Sequence, residues 1–229
     1  DPAFDVCKQF WTTRGFAVAD LDYAGSTGLG RDYRRLLDGQ WGEADLDDTC
    51  ALADHLVAEG LADPARLAVR GGSAGGFTVL AVLARRDTFT AGVSYFGVSD
   101  LAALARDTHK FESRYLDRLV GPLPDAVGVY AARSPLSHLE GFSCPLLLLQ
   151  GLDDEVVPPA QSEAIVDALA ERGIPHAYLS FEGEGHGFRR AENQLRCVTA
   201  ELSFYGQVFG FTPTGDMEPV TLVTGPDNG

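Results

Sequence analysis

RLAVRGGSAGGFTVLAVLAR, running from Arg66 to Arg85, carries the fold decision. Arg66–Arg70 (RLAVR) is a short apolar run of strand type, and Ala74–Arg85 (AGGFTVLAVLAR) reads as a helix. Between them Gly71-Gly72-Ser73-Ala74-Gly75 matches G-x-S-x-G. In a strand–turn–helix context the serine of this motif occupies a strained turn, and small neighbours are needed to avoid clashes. Its hydroxyl is exposed at the C-terminal edge of a sheet, and the following backbone N–H, here that of Ala74, points into the same space. The bland reading is a glycine-rich turn that packs a helix on a strand. The flanking strand and helix favour the chemical one.

Outward from this point the same alternation repeats. Gly15–Asp20 (GFAVAD), Ala91–Phe96 (AGVSYF), Pro145–Gln150 (PLLLLQ) and His176–Phe181 (HAYLSF) read as further buried strands, which with 66–70 makes five. Glu43–Glu59 places Leu46, Cys50, Ala53, Leu56 and Val57 at helical spacing, with Gly60 as a stop. Pro159–Arg172 places Ile165, Val166 and Leu169 on one face, and a long helix covers about Arg189 to Phe209. Strands linked by helical crossovers of this length form a mainly parallel α/β sheet with helices on both faces. Residues 97–144 break the rhythm with short helical pieces, as a substrate-side insertion would. The stretch after Phe211 is rich in Pro, Gly, Thr and Asp. Residues 1–211 are therefore expected to form one domain and 212–229 a flexible tail.

Composition bounds the function classes. The chain has 229 residues, 45% of them hydrophobic, which fits one domain with a full core. The net charge of -15 repels phosphate backbones and argues against a nucleic-acid partner. It serves solubility, and secondarily it attracts substrates with a free amino group. No apolar run reaches the length of a membrane helix. Cys7, Cys50, Cys144 and Cys197 lie far apart, without Cys-x-x-Cys or metal-ligand spacing to histidine. Reduced thiols in a cytoplasmic protein are the expectation. The chain begins with Asp1, not Met, so a preceding segment is expected and any leader in it is unknown. Gly25-Ser26-Thr27-Gly28-Leu29-Gly30 lacks the lysine of a phosphate-cradling loop. No metal or organic cofactor is implied.

A serine nucleophile needs a base and an acid, and this strand–turn–helix arrangement supplies them in the chain order Ser, Asp, His. His186 lies between glycines in Glu184-Gly185-His186-Gly187-Phe188, just after the last strand, which is the placement of a base. His55, His109, His138 and His176 read as surface or structural. The acid belongs after the run at 145–150, in Gly151–Pro158 (GLDDEVVP). Three adjacent carboxylates there leave Asp153 and Asp154 undistinguished by periodicity.

Several segments together resemble a known family. DYAGSTGLGRDYRRLLDGQWGEADLDD (Asp22–Asp48), RGGSAGGF (Arg70–Phe77), QGLDDEVVPPAQ (Gln150–Gln161), EGEGHGF (Glu182–Phe188) and, more softly, KFESRYL (Lys110–Leu116) are similar to the catalytic domain of the prolyl oligopeptidase family, in its acylaminoacyl-peptidase and dipeptidyl-peptidase branch. The resemblance covers about residues 10–210. It implies an α/β-hydrolase fold and a serine peptidase acting on short peptides. The family pattern G-x-x-D-x-x-V-P, laid on Gly151, Val157 and Pro158, assigns the acid to Asp154. The resemblance then makes Ser73 the nucleophile, His186 the base and the Ala74 amide an oxyanion donor. It also implies Phe111, Tyr115 and, through the same loop as the acid, Val156 as lining of a substrate pocket. An amphipathic helix with Phe111 and Tyr115 on its buried face is the competing reading. The family's second oxyanion group, an early central strand between 15–20 and 66–70, and a β-propeller all belong upstream of residue 1. The chain is thus expected to be part of a longer enzyme, lacking early strands and one oxyanion donor. An esterase of the same fold and a non-catalytic fragment or interaction module are the alternatives.

Overall fold

A computed structural model describes residues 4–107 and 114–225. Four strands form one parallel sheet in the order β1 (Ala68–Gly72), β2 (Ala91–Tyr95), β3 (Leu146–Gly151) and β4 (His176–Phe181). The helices are α1 (Val6–Thr12), α2 (Arg31–Arg34), α3 (Ala44–Ala58), α4 (Ala74–Arg85), α5 (Leu101–Asp107), α6 (Tyr115–Leu119), α7 (Val127–Arg133), α8 (Pro159–Glu171) and α9 (Ala191–Phe209). The register aligns Gly72 with Tyr95, Tyr95 with Leu149, and Gly151 with Phe181. All four C-terminal strand ends therefore meet along one edge, and the loops that leave them converge there.

The leucines of β3 show why a parallel sheet is buried on both faces. Side chains alternate along a strand. Leu146 and Leu148 join the cluster built with Phe77, Leu80 and Leu83 of α4 and Ile165 and Leu169 of α8. Leu147 and Leu149 join the opposite cluster, with Trp11 of α1 and Ala200, Phe204 and Tyr205 of α9. All four leucines are at most 1% exposed. Each contributes roughly 1.5–3 kcal/mol by leaving water, so this one strand ties two helical layers together. Helices α4 and α8 are the β1–β2 and β3–β4 crossovers. Crossovers of one hand advancing in one direction lie on the same face. The helix after the last strand, α9, is free to cover the other.

A buried carboxylate fastens α9 under the sheet. Glu201 is fully buried and accepts from Arg70 Nε at 2.7 Å and Nη2 at 3.2 Å, from the Tyr95 hydroxyl at 2.6 Å and from the Tyr205 hydroxyl at 2.9 Å. An unpaired charge there would be strongly destabilising, and this set of donors satisfies it. Arg70 and Tyr95 stand close to the ends of β1 and β2, so the network steadies the sheet just below the edge where the loops gather.

Two expectations need correction. Residues 15–20 form no strand, and the sheet has four strands rather than five. An apolar run becomes a strand only where a neighbouring strand takes its backbone hydrogen bonds. Among the described residues none flanks this segment, and Val18 is 41% exposed. The stretch after Phe211, expected to be loose, is anchored at Val220 to Val223, while most of residues 212–219 are exposed. Val223 and His176 exchange backbone hydrogen bonds of 2.8 and 2.9 Å, Gln207 Nε2 donates to the Val220 carbonyl, and Val220 is buried. Composition registered the Pro, Gly and Asp of this stretch, whereas Val220 and Leu222 decide its docking against the α9 cluster.

Candidate active site

Ser73 lies in the turn between β1 and α4 with φ 56° and ψ −116°. A non-glycine residue at positive φ is uncommon and costs about 1–3 kcal/mol, so the surroundings must hold it. Its N–H donates to the Tyr95 carbonyl at 3.0 Å, and its carbonyl accepts from Phe77 N–H at 2.9 Å. The glycines around it have unequal duties. A Cβ on Gly71 would lie 2.4 Å from the Gly75 carbonyl oxygen, whereas one on Gly75 would meet nothing within 4 Å. The tight packing of helix on sheet falls instead on Gly76, where a Cβ would stand 2.6 Å from the Gly97 Cα and 2.9 Å from the Tyr95 carbonyl oxygen. Gly76→Ala must therefore push α4 off β2. It is expected to destabilise the fold by about 1–3 kcal/mol as overpacking does, read as a lowered midpoint in urea. Gly75→Ala should cost clearly less in the same measurement.

Three loops from the common edge bring Ser73, His186 and Asp154 together. His186 Nε2 lies 2.8 Å from Ser73 Oγ, and Nδ1 lies 2.9 Å from Asp154 Oδ2. The Asp154 side chain is fully buried, while His186 keeps 23% of its side chain exposed. Burial works to raise the Asp154 pKa. Hydrogen bonds from His186 and from the Val157 and Val156 amides oppose it, and the net result lies below the ordinary value. An ionised carboxylate only accepts, so Nδ1 carries the proton toward Asp154 and Nε2 is left to accept from the Ser73 hydroxyl.

The neighbouring carboxylates separate clearly. Asp153 and Glu155 are exposed, and only Asp154 faces the imidazole. Asp154 Oδ1 accepts from Val156 N–H and Val157 N–H, both at 2.9 Å. Its Oδ2 also receives Gln150 Nε2 at 3.3 Å, and Gln150 is held in turn by Ser162 Oγ at 2.8 Å. Asp153 contributes through its backbone, whose N–H donates to the Glu184 carbonyl at 2.9 Å and stitches the acid loop to the histidine loop. A Cβ on Gly151 would come within 2.4 Å of that same carbonyl, so the two loops touch backbone to backbone.

Glu184 organises the histidine loop from below. It is 2% exposed and accepts from Arg189 N–H, Arg190 N–H and Asn193 Nδ2 at 2.9, 2.9 and 2.8 Å. The Arg189 amide, then Asn193 and the Arg190 amide, hold its pKa below the ordinary value. No side chain of its own caps α9 at Arg190, and the Glu184 carboxylate stands there instead, favourably placed at a helix N-terminus.

The other expected site residues are less closely joined. Ala74 opens α4, and the first amides of a helix have no intrahelical acceptor, so its N–H is available beside Ser73. Val156 is bound to Asp154 by its backbone, and its side chain is half exposed. Tyr115 begins α6 and is 60% exposed, so it is not on a buried helix face. Phe111 lies outside the described residues. Of the remaining histidines described, His176 is buried with Nδ1 2.8 Å from the Ile174 carbonyl, and His138 Nε2 contacts the Ala132 carbonyl. Sequence reasoning missed Glu184 and Gln150 as supports of the site. Glu184 lay within the quoted EGEGHGF. Gln150 likewise opened the quoted QGLDDEVVPPAQ, where it was read only as the end of a strand.

The model of the prolyl oligopeptidase family matches residues 2–212. A solved Mycobacterium tuberculosis structure, described as a puromycin-hydrolyzing peptidase, is 54% identical with a TM-score of 0.93, covering 96% of this chain and 33% of that one. A structure described as puromycin hydrolase is 49% identical with a TM-score of 0.91, covering 95% and 33%. Dipeptidyl aminopeptidase BIII of Pseudoxanthomonas mexicana is 33% identical over 93% of this chain and 31% of its own length. The chain thus spans about a third of the proteins it matches. Among the described residues no helix is long and apolar enough to cross a membrane.

Proposed function

The chain belongs to the prolyl oligopeptidase family, and from that premise we propose that it is the catalytic region of a serine peptidase cleaving short peptides, dipeptidyl- or acylaminoacyl-peptidase-like, through a Ser73–His186–Asp154 triad. The observation that carries this reading is the unbroken hydrogen-bond chain of 2.8 and 2.9 Å from Ser73 through His186 to buried Asp154. Ser73 Oγ attacks the scissile carbonyl carbon as its proton passes to His186 Nε2. Asp154 stabilises the imidazolium so formed. The carbonyl oxygen takes up the negative charge and accepts from the Ala74 N–H. On collapse the C–N bond breaks, His186 returns the proton to the leaving amine, and an acyl ester remains on Ser73. Water, deprotonated by His186, then releases the acid and restores the serine.

The relatives are named as peptidases, which favours amides over esters as substrates. Tyr115 and Val156, both well exposed, belong to the proposal as pocket residues, with Phe111. An upstream β-propeller, implied by the resemblance, is tested by the coding sequence before residue 1. The activity is tested on the intact protein with a fluorophosphonate probe and with matched dipeptidyl and N-acylaminoacyl anilides and esters. Labelling at Ser73 with anilide turnover is the expected result. Ester turnover alone would make it an esterase, and absence of both labelling and turnover would leave a non-catalytic module.

A further inference from the structure

Among the described residues two non-glycine positions have positive φ, Ser73 and Phe96. The first is the proposed nucleophile. The second, at φ 39°, lies one residue beyond β2 and has no part in the chemistry above. Two outliers of this kind at one edge, and none elsewhere in the described chain, call for a common reason.

We propose that Phe96 is a positioning residue for His186, whose ring it holds in the plane that joins Ser73 to Asp154. The inference rests on reading those three residues as a relay. The hydrogen bonds at Nδ1 and Nε2 fix two points of the imidazole and leave rotation about the line between them. The residues on either side, Gly185 and Gly187, have no side chain to set against the ring. A surface against the ring supplies the third constraint. Phe96 is that surface: its centroid lies 4.8 Å from that of His186 with planes at 61°, an edge-to-face contact.

Phe96 is itself anchored on several sides. Its ring packs edge-on against Phe188 at 5.5 Å, and Phe188 packs on Phe181 of β4 at 4.8 Å, so the contact is backed by the sheet. One peptide unit carries both the Tyr95 carbonyl, which accepts from Ser73 N–H at 3.0 Å, and the Phe96 N–H, which donates to the Leu149 carbonyl at 2.8 Å. The ring also lies over Gly72, where a Cβ would come within 3.3 Å of it. Phe96 is thus bound through its backbone to the turn of the nucleophile and through its ring to the base. The unusual φ is the conformation that serves both at once.

The test is made on the intact protein with Phe96→Ala, Phe96→Leu and Phe96→Tyr. Turnover of a peptide anilide is normalised to sites titrated by the fluorophosphonate probe, and the downfield proton resonance of the His186–Asp154 hydrogen bond is recorded. Phe96→Ala is expected to lower kcat per titrated site by about 10- to 100-fold with KM changed by less than about threefold, since small misplacement of a catalytic group costs this much. The downfield resonance should broaden or disappear, and Phe96→Tyr should recover most of the loss. A wild-type kcat with an unchanged resonance in Phe96→Ala overturns the proposal. So does a rise in KM alone, which would make Phe96 a wall of the substrate pocket. If Phe96→Ala does not fold, Phe96→Leu, which keeps apolar bulk without the ring, takes its place in the same comparison. If the wild-type protein neither labels nor hydrolyses, the peptidase reading fails. The resonance then decides the positioning role by itself: loss in the variant supports it and persistence overturns it.

Discussion

Ser73→Ala in the intact protein is expected to reduce kcat on a peptide anilide by about 10⁶-fold, the scale on which a serine hydrolase loses its nucleophile. The methyl group fits where the hydroxymethyl stood, and the backbone bonds of residue 73 to Tyr95 and Phe77 do not involve the side chain. Folding should therefore be nearly unchanged, and KM should stay close to that of the wild type. What disappears is the acceptor for the acyl group, so fluorophosphonate labelling disappears with it. A variant that retained more than a trace of turnover, with wild-type enzyme excluded as a contaminant, would place the nucleophile elsewhere.

Asp154→Asn is expected to lower kcat by about 10⁴-fold, as the loss of the orienting carboxylate does in serine proteases. Asparagine keeps the shape but can present an N–H to Nδ1, which favours the wrong tautomer and offers no charge to the imidazolium. The acid also has a signature in pH. Its folded pKa lies below the ordinary carboxylate value, so its ionised form stabilises the fold fully above about pH 4. That contribution is lost as the pH falls through the folded value. Thermal unfolding of Asp154→Asn should lack this part of the acid-side loss seen in the wild-type protein. Asp153→Asn is the control. Its carboxylate is exposed, and its structural contact is a backbone N–H that the substitution keeps. A screened surface charge of this kind should alter kcat by less than about threefold. Equal losses at the two aspartates would overturn the assignment.

The fold was legible because it rests on local signals that agree with one another. Leu-rich runs of strand length, helical spacing between them and a G-x-S-x-G turn are consistent with only a parallel sheet with crossovers, and four of the five expected strands stand close to where the pattern put them. The error at 15–20 is of a different kind. A strand is a relation between two segments, and apolar periodicity describes only one of them. The anchorage at 220–223 was missed for the same reason in reverse, since composition counts turn-forming residues and does not see the face of α9 that receives Val220.

The sequence by itself determined the candidate residues of the proposed triad and the strand ends that hold them: Ser73 in its glycine turn, His186 between glycines, and a carboxylate cluster after β3. Chain order and spacing were enough, because each such residue follows a strand of the same sheet and parallel strands end on the same edge. Periodicity and composition did not separate the two aspartates; the family resemblance pointed to Asp154, and the tertiary structure gives the physical reason that it faces the imidazole. Asp153 and Asp154 are adjacent in sequence and alike in chemistry, and they differ only in whether the Val156 and Val157 amides, Gln150 and His186 turn the side chain inward. The φ of Phe96 was likewise invisible to the sequence. No residue type there announces a left-handed backbone, and the conformation exists because a peptide shared with Ser73 and a ring shared with His186 have to be satisfied together.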